Sequence, residues 1–192
     1  MTVTAFSEKT AAVQRVHDRY DAMGRRLTFT RTASLSEREL NAEIAPVLAA
    51  EARLLDARAF EQWQAMLSDE MQFWVPVHPD DHPAKDQALI YDDRRRLSER
   101  VAHFFDPQAW AVVAPDPLTI RQIGAVEAWD AGTEIVATAP IELLHVRRGA
   151  PVKLAGREIL SLERNGAGFL ITSKTLILPE LALSTPHLGW II

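Results

Sequence analysis

The chain has 192 residues, with 26 acidic against 21 basic side chains, a formal net charge of −5, six histidines and no cysteine. That length suits one domain, and 47% hydrophobic with 24% charged residues is the balance of a folded chain and not of a disordered one. The acidic balance argues against sequence-independent nucleic-acid binding, and the missing cysteine removes disulfides, thiol nucleophiles, Cys-ligated zinc and cysteine-held iron–sulfur clusters.

In chain order, Val13, Val16, Tyr20 and Met23 recur at spacings of three and four, which predicts a short amphipathic helix ending near Gly24. Charge interrupts this stretch too often for the apolar core of a secretory signal. No run approaches the ~20 apolar residues that span a bilayer, so the expectation is a cytoplasmic chain without a membrane segment. Leu27 to Ala33 is β-branched and reads as extended, and residues 1–34 as a whole read as an arm. Ser36 and Glu39 have the spacing of a capping box at the start of a second helix. Leu40, Ile44, Val47, Leu48, Leu54 and Leu55 keep one face of that helix apolar, and Pro46 predicts a kink or break at Ala45–Pro46. Phe60, Trp63, Met66 and Leu67 suggest a short third helix. Met71 to Val77 reads as a strand, ended by prolines at 76, 79 and 83.

Asp92 or Asp93 can cap a further helix with the stripe Leu97, Val101, Phe104 and Phe105. Four strand-like runs follow: Leu118–Trp129, Thr133–Val146, Val152–Glu163 and Gly168–Leu178. Short turns between them predict antiparallel neighbours. Helices followed by such a meander indicate an α+β fold, with helices packed on one face of a curved sheet. One domain is expected over residues 35–180. In the last strand large apolar residues fall on both parities, so both of its faces are expected to be covered. The tail 181–192, with Leu181, Leu183, Leu188, Trp190, Ile191 and Ile192, is too apolar for a free end. It either closes its own core or lies in a subunit contact.

Three constellations bear on chemistry. His78, Asp80, Asp81 and His82 are suitable metal-ligand types, but prolines at 76, 79 and 83 forbid a helical His-x-x-x-His arrangement, and a polar surface loop is the expectation. Asp69 or Asp92 with His103 or His145 would make an acid–base pair if the fold brought them together in a pocket, giving a small-molecule dehydratase or isomerase. Arg94, Arg95 and Arg96 form a basic cluster that is either solvated or available to a partner's carboxylates. The chain has no nucleophile elbow and no phosphate-binding glycine loop. Tryptophans 63, 74, 110 and 129 read as packing groups.

Glu51-Ala52-Arg53-Leu54-Leu55-Asp56, Phe60-Glu61-Gln62-Trp63 and Leu67-Ser68-Asp69-Glu70-Met71-Gln72-Phe73-Trp74-Val75-Pro76-Val77 are similar, in that order, to segments of the β (small) subunits of bacterial aromatic-ring-hydroxylating dioxygenases. Ile90-Tyr91-Asp92-Asp93-Arg94 with Leu97, Arg100 and Val101 resembles that family's next helix, and Phe169 to Leu178 its closing strand. The chain departs from the pattern at Arg121-Gln122, at Pro179-Glu180, at Pro46 and in a longer N-terminal arm. The resemblance implies a cystatin-like α+β cone of the nuclear transport factor and ketosteroid isomerase type. It implies a non-catalytic role in aromatic hydrocarbon catabolism, with no cofactor or metal in this chain. The partner would be an α subunit carrying a Rieske [2Fe-2S] cluster and a mononuclear iron, in an α3β3 assembly with β–β trimer contacts. Arg94, Lys174, Leu176, Leu178, Trp190, Ile191 and Ile192 are the residues expected at subunit interfaces.

Overall fold

The computed structural model describes residues 3–106, 108, 117–147 and 149–179. Their elements are α1 (Val3–Thr32), α2 (Arg38–Asp56), α3 (Phe60–Ala65), β1 (Leu67–Pro76), β2 (Ala88–Asp93), α4 (Arg94–His103), β3 (Leu118–Ile123), β4 (Glu127–Asp130), β5 (Ile135–Arg147), β6 (Ala150–Asn165) and β7 (Gly168–Ile177). The strands form one sheet in the order β2-β1-β7-β6-β5-β3, with β4 also on β5. All pairings are antiparallel except β1 with β7, which is parallel. The α+β architecture is the one expected, and the three hairpin-linked strands β5, β6 and β7 fall where their apolar runs and turns place them.

The main core lies between the sheet and helices α2 to α4. Leu40, Ile44, Leu48 and Leu55 of α2, Phe60 and Trp63 of α3, and Leu97 and Val101 of α4 meet Phe73, Val75, Leu143, Leu160 and Leu176 from the strands. Asp93 caps α4, accepting the Arg96 N–H at 2.8 Å and satisfying one of the free donors of the first turn.

Helix α2 differs in two details from expectation. Its cap is Glu37, without a side-chain hydrogen bond, and Ser36 Oγ instead accepts from Asn41 Nδ2 at 2.8 Å, so no capping box forms. Pro46 sits inside an uninterrupted helix. Both Pro46 and Ala42 are on the exposed face, so water can satisfy the carbonyl that the missing N–H leaves free.

The largest departure is α1. It does not stop at Gly24 but continues to Thr32, and it packs on the face of the sheet opposite α2. Met23 and Leu27 are buried there against Trp74, Val136 and Ile159, with Ile177, Tyr91 and Phe29 around them. β-branched and aromatic propensity at Leu27–Thr30 is overridden by this burial. Arg26 adds a polar anchor. Its Nε and Nη2 donate to the Glu134 carboxylate at 2.9 and 2.6 Å, and its Nη1 donates to Ser173 Oγ at 2.9 Å. Burial alone would raise the Glu134 carboxyl, but hydrogen bonds from Arg26 and Ser161 outweigh it and hold the group below its usual range.

Gly24 lets α1 pass close to this loop: a Cβ there would lie 3.1 Å from the His82 ring, which would have to give way. The two covered faces explain the mixed parity of β7: Leu176 and Leu178 belong to the main core, while Ile177 belongs to the layer under α1. The run Leu118–Trp129 is two strands, broken where Gly124 passes close to the Pro140 ring.

Candidate functional site

The His78–Pro83 loop is a polar strap held by its own hydrogen bonds and by α1. The Asp81 carboxylate accepts the His78 N–H and the Asp86 carboxylate accepts the His82 N–H, each at 2.7 Å. Arg31 of α1 reaches Asp80 at 2.7 Å and also donates to the Pro79 carbonyl. His82 Nδ1 accepts from Ala84 N at 3.2 Å, which leaves its Nε2 facing Asp21 of α1 at 3.9 Å. Among the described residues no three His, Asp or Glu side chains gather around a point that would hold an ion.

The structure does not assemble the acid–base pair weighed from the sequence. Asp69 is exposed on β1. Asp92 is buried but ion-paired with Arg100. His103 is exposed at the end of α4, its Nδ1 2.8 Å from the Glu99 carbonyl. His145 is buried on β5, which lies four strands from β2 and its Asp92, or roughly 19 Å along the sheet. Burial and the charges of Arg147 and Arg121 hold the His145 imidazole below its ordinary value, in the neutral form.

The helix-facing side of the sheet instead holds a buried charge cluster. Lys174 Nζ on β7 lies 2.8 Å from Glu51 Oε2 on α2 and 3.1 Å from Glu158 Oε2 on β6. All three side chains are at most 3% exposed. Trp63 Nε1 of α3 donates to Glu51 Oε1 at 3.3 Å. Beside them, buried Arg121 on β3 pairs with Asp56 at the end of α2, whose carboxylate also accepts the Arg121 backbone N–H at 2.8 Å. The cluster therefore ties α2 and α3 to three strands. Two carboxylates around one ammonium cannot both be matched by Lys174. Burial pushes the Glu158 carboxyl up, the Glu51 charge adds to that rise, and Lys174 and Arg121 only partly offset it. Burial would lower Lys174, but Glu158 and Glu51 outweigh it and keep the ammonium charged.

Of the expected interface residues, Lys174 is thus at the centre of the chain's own ion cluster. Leu176 and Leu178, 0% and 4% exposed, are in its own core. Their side chains are turned inward because α2 to α4 already cover that face. Arg94 is half-exposed at the start of α4. Trp190, Ile191 and Ile192 lie outside the described residues, as does Trp110, while Trp63, Trp74 and Trp129 are buried as packing groups. Sequence reading passed over Glu158, counted Glu51 only among the carboxylates of the helical half and noted Arg121 only as a departure from the family pattern. A signal was present: Glu158 shares parity with Leu154, Leu160 and Leu162, and Glu51 sits on the same buried stripe as Leu48 and Leu55.

A raised Glu158 value has a defined sign. Above the ordinary carboxylate value the unfolded chain has released the proton that the folded chain still holds, so stability falls as pH rises through the folded value. Glu158→Gln keeps a neutral group of the same shape. Urea unfolding midpoints across pH 5 to 9 are expected to fall for the wild type and to stay flatter for the variant. Parallel profiles would show that Glu158 is ionised in the fold.

A protein family and several individual proteins and solved structures are similar to this chain. Residues 50–184 match the family model described as ring hydroxylating beta subunit. The chain is 30% identical to the 2-halobenzoate 1,2-dioxygenase small subunit of Burkholderia cepacia over 135 residues, 67% of this chain and 81% of the relative. It is 27% identical to the N,N-dimethyl phenylurea N-demethylase subunit beta of Sphingobium sp. (strain YBL2) over 151 residues, 74% and 85% of the two chains. Among solved structures, the beta subunit of the benzoate 1,2-dioxygenase from Burkholderia mallei superposes with a TM-score of 0.62 at 25% identity, over 78% of this chain and 96% of that one. A naphthalene 1,2-dioxygenase chain gives a TM-score of 0.74 at 22% identity, over 86% and 92%, and shows the same curved-sheet cone.

Proposed function

Because the chain belongs to the ring hydroxylating beta subunit family, we propose that it is the non-catalytic structural β subunit of an aromatic-ring-hydroxylating dioxygenase, assembling with and stabilising an α subunit that dihydroxylates aromatic compounds. The observation that carries this reading is the family match, which runs from within α2 to beyond β7 and so includes every strand of the sheet. The inward-facing charges support it, since they are engaged with one another: Lys174 with Glu51 and Glu158, Arg121 with Asp56, and Arg100 with Asp92. Such pairs hold helices on a sheet; they are not poised around a substrate.

The metal chemistry is assigned to the partner. A Rieske cluster takes two cysteine and two histidine ligands, and this chain has no cysteine. The described residues likewise offer no grouped donor set for a mononuclear iron. We assign both centres to the α subunit and the assembly to an α3β3 hexamer with β–β trimer contacts. The apolar residues Trp190, Ile191 and Ile192 are taken as subunit contacts. No described helix is long and apolar enough to cross a membrane, and we take the assembly to be cytoplasmic.

Co-expression with the cognate α subunit tests this. The expected result is co-elution at the mass of α3β3 on size exclusion with light scattering, and loss of soluble, active α when this chain is left out. An α subunit fully active alone, or a metal-free preparation of this chain that turns over a small organic compound, would overturn the reading.

A further inference from the structure

Helix α1 has 30 residues and so extends over ~45 Å, yet only its second half meets the sheet. Val13, Val16, Tyr20, Met23 and Leu27 recur at alternating spacings of three and four and form one seam along it. Met23 and Leu27 are buried on the outer face of the sheet, the one away from α2. Val13 and Val16 continue the seam but are 50% and 41% exposed. Contacts fix the direction of the helix. Phe29 meets Trp129 of β4, and Arg26 holds Glu134 just ahead of β5. Tyr20 meets Tyr91 of the edge strand β2, and Arg19 pairs with Glu70 of β1. The helix therefore crosses the sheet towards β2. Residues 13–18, all exposed, run on past that edge.

The far end of the same face is apolar and exposed. Leu118 and Ile120 of β3 are 73% and 61% exposed, and Leu144 of β5 is 39% exposed. Ile120 stands directly opposite Leu144, and Leu118 opposite Val146, so these side chains share one face. Leu143 belongs to the main core, so Leu144 points the other way, in step with Val136 under α1. Strands β3 and β2 are the two ends of the strand order, five spacings or roughly 24 Å apart. A helix pinned to β1 and β2 cannot turn back to cover β3 of its own chain.

We propose that the first half of α1 docks on the Leu118, Ile120 and Leu144 patch of a second copy of this chain. The two surfaces match in kind, since the second half of α1 already packs this seam on this face of the sheet. Each alone leaves apolar surface in water, and joining them removes both exposures. They differ and lie at opposite edges, so copies join head to tail, a contact that closes as a ring. A ring of three deepens the β-subunit reading, on which that number rests, by giving the β–β contact its surfaces. None of these residues is among those expected at interfaces from the resemblance, and α1 lies ahead of the matched residues 50–184.

Sedimentation of the full chain over a range of concentrations tests the contact. The wild type is expected to self-associate. Val16→Asp and Ile120→Lys are each expected to weaken association by ~30-fold or more, because a charge inside an apolar contact must shed its water. Leu35→Lys, at a leucine that is 95% exposed and outside both surfaces, leaves association within about threefold. The geometry is read separately by cross-linking. The chain has no cysteine, so single thiols can be placed without interference. Mixed Val16→Cys and Ile120→Cys chains are expected to join to each other under mild oxidation faster than either joins to itself. These changes are small and exposed, so the cross-link decides even if a charged variant melts early.

Three results overturn the contact. One is a wild type that stays monomeric at high concentration. Another is a preference of either thiol variant for joining to itself, which pairs like surfaces. The last is a Val16→Cys thiol shielded from alkylation only when the α subunit is added, which gives the helix to that partner and leaves the β-subunit reading intact. A chain that forms the mixed cross-link but does not bind α defeats the β-subunit reading and leaves the contact between copies standing.

Discussion

Lys174→Met is expected to destabilise the chain by ~3–5 kcal/mol, because it removes the ammonium and leaves Glu51 and Glu158 buried together. For a chain of this size that is a fall of roughly 6–20 °C in unfolding temperature. The loss is mainly the cost of buried carboxyl groups left without their ammonium, Glu51 above all since burial favours the protonated form of Glu158, and not the worth of the ion pairs themselves. The distinction can be measured. Combining Lys174→Met with Glu158→Leu and Glu51→Gln removes the stranded charge, and Gln still accepts from Trp63 Nε1. The triple variant should recover most of the stability, since buried ion groups replaced together by apolar ones are often neutral or stabilising. Urea unfolding of the wild type, the single variant and the triple variant checks this. A single variant as stable as the wild type would mean that water reaches the cluster.

Trp74→Ala should cost a similar amount, ~3–5 kcal/mol, by leaving a cavity in the layer between α1 and the sheet. Trp74 is 1% exposed and touches the same layer as Met23, Leu27, Val136 and Ile159. Its loss acts on α1 first, because the main core on the other face keeps Phe73, Val75 and Leu160. The expected sign is early tryptic cleavage at Arg25 and Arg26, ahead of global unfolding, while the wild type is cut there slowly. If cleavage and unfolding remain concerted, α1 and the sheet form one cooperative unit. If neither changes, the helix is not held by this layer.

Local chemistry made much of this architecture legible. The hairpin-linked strands β5 to β7 announce themselves by apolar runs between Gly- and Asn-bearing turns, and Asp93 before Leu97 marks the start of α4. Strand β2 was passed over because six residues, Ala88–Asp93, with only Leu89 and Ile90 as strong apolar members, carry too little pattern. The true extent of α1 was hidden because Leu27, Thr28, Phe29 and Thr30 favour extended backbone locally. Distant groups, Trp74, Val136, Ile159 and Glu134 among them, give that segment its reason to stay helical.

The buried cluster was legible in pieces and not as a site. Glu51, Glu158 and Lys174 each stand at a core position of their own element, but nothing local says that groups 107 and 123 positions after Glu51 come together with it. The same limit applied to the interface set. Mixed parity in β7 correctly implied two covered faces, yet the cover on both faces comes from this chain's own helices, so Leu176 and Leu178 are turned inward.

The parallel pairing of β1 with β7 also sets the order of assembly. Leu67 pairs with Ile171, about a hundred residues later, whereas β5, β6 and β7 close on one another through short turns. A ribosome delivers β1 about a hundred residues before β7, so a nascent chain carries one unpaired edge of β1 until β7 emerges. Such an edge is a template for pairing with the wrong chain, and the chain is vulnerable to aggregation until β7 pairs with it. Its yield is therefore governed by how fast β7 inserts and by how soon a chaperone or companion shields that edge.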